Sequence, residues 1–254
     1  MDIAAYAAES AVERDHWWFV GRRWLFSEEI KHLKLNACAA VLDVGTGTGA
    51  NLRMLRDNGF SNITGVDTSD EAIRFCSQKG FGCVRKGDIA ALPFPAHTFD
   101  LVLATDVIEH IDDDAAAVRE LGRILKPDGH LLLTAPAFPA LWGLQDKVSH
   151  HRRRYRMRSL CTMIQDEGLA VVRNYHFNFL LFPLIYATRQ LLKLTGAEKR
   201  LRSELQINSP ALNAILTPLF ILDTRSAPWL RPPFGVSVLL VATPAGSQPP
   251  CRDL

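Results

Sequence analysis

Val41 to Gly49 reads VLDVGTGTG. An apolar run enters a turn that carries Gly45, Gly47 and Gly49. Glycine has no Cβ, so such a turn can be tight and can bring its backbone against a ligand. Roughly 20 residues further on, Gly65 to Asp67 closes a second apolar run with a carboxylate, the distance expected of an acid that accepts hydrogen bonds from ribose hydroxyls. A glycine turn alone is also what an ordinary strand-to-helix connection contains. The acid at the end of the next strand is what points to a nucleoside.

The glycine spacing separates the nucleoside cofactors. Dinucleotide sites use G-x-G-x-x-G and hold a pyrophosphate at a helix N-terminus. Here the pattern is G-x-G-x-G, one residue tighter. S-adenosylmethionine has no pyrophosphate, so the spacing points to that cofactor and to methyl transfer. The rivals are a nicotinamide oxidoreductase, which the spacing opposes, and a protein that binds the cofactor without transferring a group.

Elements of the same kind continue along the chain. FDLVLA (99–104) and HLLLTA (130–135) are short, apolar and bounded by turns, and read as buried strands. Helices are predicted over 51–58, 69–79 and 112–125. Ser69 is the expected N-cap of the second, with Asp70 and Glu71 in its first turn where negative charge suits the helix dipole. Gly59 and Gly80 are expected helix stops. Strands alternating with helices predict a parallel sheet covered on both faces. Ligands bind such sheets at the carboxyl ends of the strands, where Asp43, Asp67, Asp88 and Asp106 fall.

With these residues in view, the chain resembles the class I S-adenosylmethionine-dependent methyltransferases. VLDVGTGTG, GVDTS (65–69), GDIAALPFP (87–95), FDLVLATDVIEHI (99–111) and LKPDGHLLLTAP (125–136) carry the resemblance, in family order. It implies an α/β, doubly wound, Rossmann-like fold: a mostly parallel seven-stranded sheet, its last strand antiparallel, with helices on both faces. It also implies cofactor contacts. Gly45, Thr46 and Gly47 would border the methionine part, with Asp43 at the first strand end. Asp67 and Thr68 would hold the ribose, Asp88 and Ile89 would meet the adenine, and Thr105, Asp106 and Val107 would close the pocket.

Composition agrees with one domain. The chain has 254 residues and a formal charge of +2, too balanced to argue for nucleic acid. Its five cysteines form no C-x-x-C pair and fit a reducing compartment. No charged leader precedes an apolar stretch, so a cytoplasmic protein is expected, or one held peripherally at the inner face of a membrane. The parts of that single domain are an N-terminal helical lid (1–36), a cofactor-binding core (37–175), an apolar helical insertion (176–232) and a flexible tail (244–254).

Two further segments bear on the reaction. In ERDHWWFVGRR (13–23), Trp17, Trp18 and Phe19 are expected to pack on the core. Trp18 is also a candidate to face the substrate. In similar methyltransferases such a helix covers the cofactor, and Arg22 or Arg23 would pair with its carboxylate; helical phase does not choose between them, and Arg22 is carried as the candidate. SHHRRRYRMRSL (149–160) resembles, with Asp146, the D-x-x-x-x-H-x-R-R-Y pattern of bacterial methyltransferases of cell-surface glycan and lipid-linked sugar pathways. His151, His150 and Tyr155 are the catalytic candidates, His151 foremost as a general base near neutral pH. Arg153, Arg154 and His110 are candidates for substrate binding. Arg156 stands where a Ser or Thr cap is expected. DVIEH (106–110) resembles a metal site of some quinone-pathway O-methyltransferases, but the reading assigns no metal, with Glu109 and His110 simply starting a helix.

The apolar stretches 175–188 and 207–222 are too short to span a bilayer, which needs ~20 residues, and Pro183 and Pro218 are expected to interrupt them. They suit a helical insertion packed on the core, on a second subunit as a homodimer, or shallowly on a membrane. The expected partner is a small acceptor, anionic or lipid-linked, methylated on oxygen. A secondary-metabolite acceptor, with oxygen, nitrogen or carbon methylated, is the alternative.

Overall fold

The computed structural model describes residues 3–195 and 209–246. The expected tail (244–254) starts too early, since Pro244 still belongs to the last strand, and its residues 247–254, like 196–208 of the insertion, lie outside the described residues.

The sheet has seven strands: β1 (Val41–Val44), β2 (Ile63–Asp67), β3 (Val84–Lys86), β4 (Phe99–Thr105), β5 (Leu125–Pro136), β6 (Leu169–Phe177) and β7 (Ser237–Pro244). They lie in the order 3-2-1-4-5-7-6. Strands β1 to β5 pair in parallel, and β7 runs antiparallel to both β5 and β6. The chain winds outward from β1 to β3, then crosses to β4 on the other side. The glycine turn therefore leaves β1 at the switch point, where two neighbouring connections part and open a crevice.

Period-two alternation builds both faces of the core. Leu42, Val44, Val102, Leu131 and Leu133 face one cluster. It is completed by α5 (Asp114–Ile124) and α7 (Met157–Asp166), through Val118, Leu121, Leu160 and Ile164. Val41, Leu101, Leu103, Leu132 and Val241 face the other, covered by α2 (Trp17–His32), α3 (Ala50–Asp57) and α9 (Pro210–Leu230) through Phe26, Leu55 and Phe220. Helix α4 (Asp70–Gln78) starts as expected: the Ser69 hydroxyl accepts from the Ala72 N–H. Gly59 and Gly80 follow α3 and α4 with φ of 89° and 80°, the left-handed geometry that ends a helix at glycine. Arg156 starts α7 with no side-chain cap.

The insertion differs from its expected outline. Tyr175 to Phe177 belong to β6 and pair with β7. Helix α8 covers Phe182–Thr195, with Pro183 in its first turn, and α9 runs through Pro218 as far as Leu230. Pro218 is exposed, so water can take the carbonyl its missing N–H leaves unpaired, and the helix need not stop there. Gly21 explains how closely α9 approaches α2: a Cβ there would lie 2.0 Å from Cδ1 of the buried Phe220 ring.

Candidate active site

The glycine turn adopts the conformation its sequence implies. Gly45 and Gly47 have φ of 69° and 56°. A Cβ on Gly45 would meet Val107 Cγ2 at 2.5 Å, whereas a Cβ on Gly47 would have nothing closer than Gly45 O at 3.9 Å. The turn thus packs against the end of β4 at Gly45 and opens a cradle at Gly47.

Asp67 joins this turn to the next one. One carboxylate oxygen accepts from the Gly47 N–H at 2.8 Å and the other from the Ser69 N–H at 2.9 Å. Thr46 turns inward, its hydroxyl donating to Asp43 O at 2.9 Å. Thr68 and Asp88 are exposed at the mouth, while Ile89 is buried. Asp88 turns its carboxylate onto the Ala90 N–H at 2.9 Å.

Below the turn, Asp43 is fully buried. Asn51 donates to its Oδ1 at 2.9 Å and to Thr105 Oγ1 at 3.0 Å, while Asp43 Oδ2 has no protein partner. Burial pushes the Asp43 carboxyl up to about 7, against the opposing effect of the Asn51 hydrogen bond. A buried acid with an unmet oxygen suits a ligand that brings a donor or a positive charge.

The lid crosses this crevice. Helix α1 (Ile3–Val12) leads to Glu13, whose carboxylate binds the Thr48 hydroxyl and, at 2.7 Å, the Lys79 ammonium. Lys79 also donates to Thr48 O at 2.8 Å, so the lid is latched to the glycine turn. Arg22 and Arg23 part company here. Arg23 turns outward and donates to the carbonyls of Glu13 and Arg14. Arg22 reaches inward, its guanidinium over the Trp18 and Phe26 rings, and pairs with Asp106 at 2.9 Å. Asp106 itself has φ of 55° and accepts from the Thr134 hydroxyl at 3.1 Å. Trp18 stacks on Phe220 with centroids 5.3 Å apart, so its ring braces Arg22 and joins the core.

The second motif gathers beyond the ends of β4 and β5, around Asp146 in the short helix α6 (Leu144–Val148). Asp146 is fully buried and accepts from Gly143 N–H at 2.7 Å, Arg154 Nε at 2.8 Å and the His151 Nδ1 side at 2.9 Å. These donors outweigh desolvation and hold its carboxyl at about 2, well below the usual range. From α8, Arg189 donates to Leu141 O at 2.5 Å and lies 3.8 Å from Asp146. With Nδ1 committed to Asp146, His151 turns Nε2 toward Glu109, at 3.8 Å, and packs edge-on against His110. Glu109 is buried and neither carboxylate oxygen has a partner; burial, helped by Asp106, raises its pKa. Glu109, His110 and His151 bring their ligand atoms within 4.8 Å of one another, close enough to hold a cation.

Several expected roles do not match this geometry. The arginines are spent internally. Arg154 is buried on Asp146 and Ala137 O, Arg153 pairs with Asp114 at 2.9 Å and donates to Asp112 O, and Arg152 holds Asp112 and His110 O. A guanidinium so engaged is a brace and has little left for a substrate anion. Tyr155 donates to Asp114 Oδ2 at 2.7 Å and to Ile108 O at 3.2 Å, and burial raises its phenol, so it stays protonated. His150 is exposed, with φ of 56°. Burial, together with His151, lowers His110 to about 4. Glu109 and His110 lie in a single 3-10 turn, and the longer helix starts later, with Asp113 as its cap.

The geometry carries the fold reading of the turn, and the comparisons agree with it. Residues 42–133 match the family described as "Methyltransferase domain". The chain carries the class I methyltransferase fold. It is similar to the uncharacterized methyltransferase YcgJ of Bacillus subtilis, 34% identical over 136 residues, covering 50% of this chain and 52% of that protein. It is also similar to a ubiquinone biosynthesis O-methyltransferase of Neisseria meningitidis, 28% identical and covering 45% and 55%. A malonyl-[acyl-carrier protein] O-methyltransferase of Erwinia pyrifoliae is 28% identical, covering 66% of each. Among solved structures, a putative methyltransferase of Haloferax volcanii, in complex with the Trm112 activator, aligns over 97% of this chain and 96% of its own with a TM-score of 0.62 at 22% identity. The chain spans about half the length, or less, of the first three curated relatives. The donor that this family and fold indicate is S-adenosylmethionine, and the cradle at Gly47, the unmet Asp43 oxygen and the inward Arg22 fit it.

Proposed function

We propose that this protein transfers a methyl group from S-adenosylmethionine to an oxygen of a small acceptor. The observation that carries the reading is the pairing of two groups at the strand ends: Asp67 on the Gly47 N–H, an acid for ribose hydroxyls, and Arg22 turned inward onto Asp106, a cation for a carboxylate. When bound, the cofactor supplies a methyl group on a positively charged sulfur. Everything else falls to the chain's own residues.

Asp67 would orient the ribose, with Thr68 and Asp88 at its exposed side and Ile89 under the base. Asp43, beneath the turn, favours a cationic ligand. Arg22 would exchange Asp106 for the cofactor carboxylate, a bidentate match for a guanidinium. Thr105, Asp106 and Val107 close the far wall. The latched lid excludes water, and rate would come chiefly from holding acceptor and donor in line.

Removal of the acceptor proton falls to His151. Asp146 accepts from Nδ1–H and fixes the tautomer, leaving Nε2 as the basic atom, the logic of an acid-oriented imidazole. His110 packs against that ring and lines the acceptor side. The acceptor proposed is a small, lipid-linked molecule such as a glycan precursor, as the resemblance of the motif around His151 implies, with a hydroxyl as the methylated group. No divalent cation is assigned to the reaction, because His151, one of the three groups that could hold one, is given to the acceptor proton instead.

His151→Ala tests it. Turnover, followed as S-adenosylhomocysteine formed with candidate sugar and lipid-linked acceptors, should fall ~100-fold or more, in the range of general-base contributions. Affinity for S-adenosylhomocysteine should stay within a few-fold. Equal loss of both would reduce His151 to a folding role.

A further inference from the structure

Helix α9 is apolar on two sides. One side buries Phe220, Asp223, Thr224 and Ala227 against the core. On the other, Ile215, Leu222 and Trp229 are 66%, 59% and 88% exposed. They recur every seven residues, so they form one line along the helix, drifting only ~20° per repeat. At 1.5 Å per residue the line is roughly 20 Å long. Pro218 and Arg225 are exposed as well, and Leu230, the last residue of the helix, and its cap Arg231 continue the surface. Helix α8 has a similar line, with Leu184 and Leu191 seven residues apart and Leu194 beyond them, all exposed. No helix among the described residues is long and apolar enough to cross a membrane.

The charges choose the occupant. Among the described residues of 178–236, the exposed charged side chains are Lys193, Arg225 and Arg231. The one acid there, Asp223, is buried and accepts from Asn178 N–H and Leu180 N–H at 2.6 and 2.7 Å. A symmetric pair of copies meeting through this line would set the same patch against itself. Arg225 and Arg231 would then face cations, with no exposed acid among the described residues of the insertion to match them. Anionic headgroups would match both arginines, while Trp229 and the aliphatic side chains enter the headgroup boundary.

We propose that the exposed line of α9, with Arg225 and Arg231, is a shallow docking face for an anionic lipid surface. Both helices connect the end of β6 to the start of β7, at the sheet end that carries the cofactor crevice, so docking brings that end toward the lipid.

The test is co-sedimentation of the full chain with vesicles of phosphatidylcholine alone and of phosphatidylcholine mixed with phosphatidylglycerol. The wild type should sediment with the mixed vesicles and much less with the neutral ones. Leu222→Ser with Trp229→Ser should weaken binding by ~10-fold or more, since two large apolar side chains leave the interface. Arg225→Gln with Arg231→Gln should weaken it by ~5-fold per charge and remove the preference for anionic lipid. These positions are exposed, so melting temperature and S-adenosylhomocysteine affinity should not change, which keeps this test separate from the methyl-transfer reading. A wild type left in the supernatant would overturn the proposal, as would variants that sediment like it. Light scattering showing a wild-type dimer that the Leu222→Ser, Trp229→Ser variant splits would assign the line to a second copy instead.

Discussion

Replacing Asp67 by alanine should separate the two tasks of its carboxylate. In the structure each oxygen accepts one backbone N–H, from Gly47 at 2.8 Å and Ser69 at 2.9 Å, and each keeps a lone pair for a ribose hydroxyl. A hydrogen bond to a charged group is worth ~1.5–3 kcal/mol. Losing one such bond to the ribose predicts a ~10–150-fold weaker Kd for S-adenosylhomocysteine, at 1.4 kcal/mol per factor of ten. The two N–H groups border a crevice that water enters, so the fold should lose less, ~1–2 kcal/mol. Asp67→Asn keeps the shape but has one acceptor oxygen for two donors, so it should lose affinity nearly as severely. The assay is titration calorimetry with S-adenosylhomocysteine beside a thermal melt of each variant. A variant that melts like the wild type and binds within threefold would refute the reasoning, because the ribose could not then rest on this acid.

Three other outcomes are expected. Burial raises Asp43 to about 7, so its stabilising contribution is fully present below the unfolded value near 3.8 and is lost as pH rises through 7. A cationic cofactor reverses that preference, so its affinity should rise between pH 6 and 8 with proton release, and calorimetry of Asp43→Asn should find that slope flattened. Gly21→Ala puts a Cβ 2.0 Å from the Phe220 ring, and overpacking of ~1–3 kcal/mol should outweigh the ~1 kcal/mol helix gain and lower Tm by a few degrees. Chelation with EDTA should leave turnover unchanged; a loss restored by a divalent ion would hand Glu109, His110 and His151 to a metal.

Local signals carried most of the fold. The glycine turn, the acid closing β2, the Ser69 cap and the alternation of the strands are all written within short windows, and they set the sheet and its crevice. What stayed illegible depends on distant partners. Nothing within ERDHWWFVGRR separates Arg22 from Arg23; the choice follows from Glu13 and Arg14 carbonyls on one side and Asp106 on the other. The arginine run looked like an anion site because its acids lie outside it, Asp112 and Asp114 together at the start of α5 and Asp146 in α6. Nothing beside Gly21 in the chain points to Phe220, about 200 positions away, whose ring requires a glycine there. The Glu13–Lys79–Thr48 latch and the Asn51 bridge leave no short-range trace at all. Pro218 misled by rule: it stops helices whose lost bond is buried, and here the bond faces water.

The placement of the antiparallel pair at the sheet's edge has an evolutionary corollary. Because β6 ends and β7 begins beside each other, the segment between them can be lengthened, shortened or exchanged while the strands that cup the donor keep their register. Under the proposed methyl transfer, acceptor preference would diverge through this one replaceable cassette, and chimaeras cut at Phe177 and Ser237 are the rational way to test it.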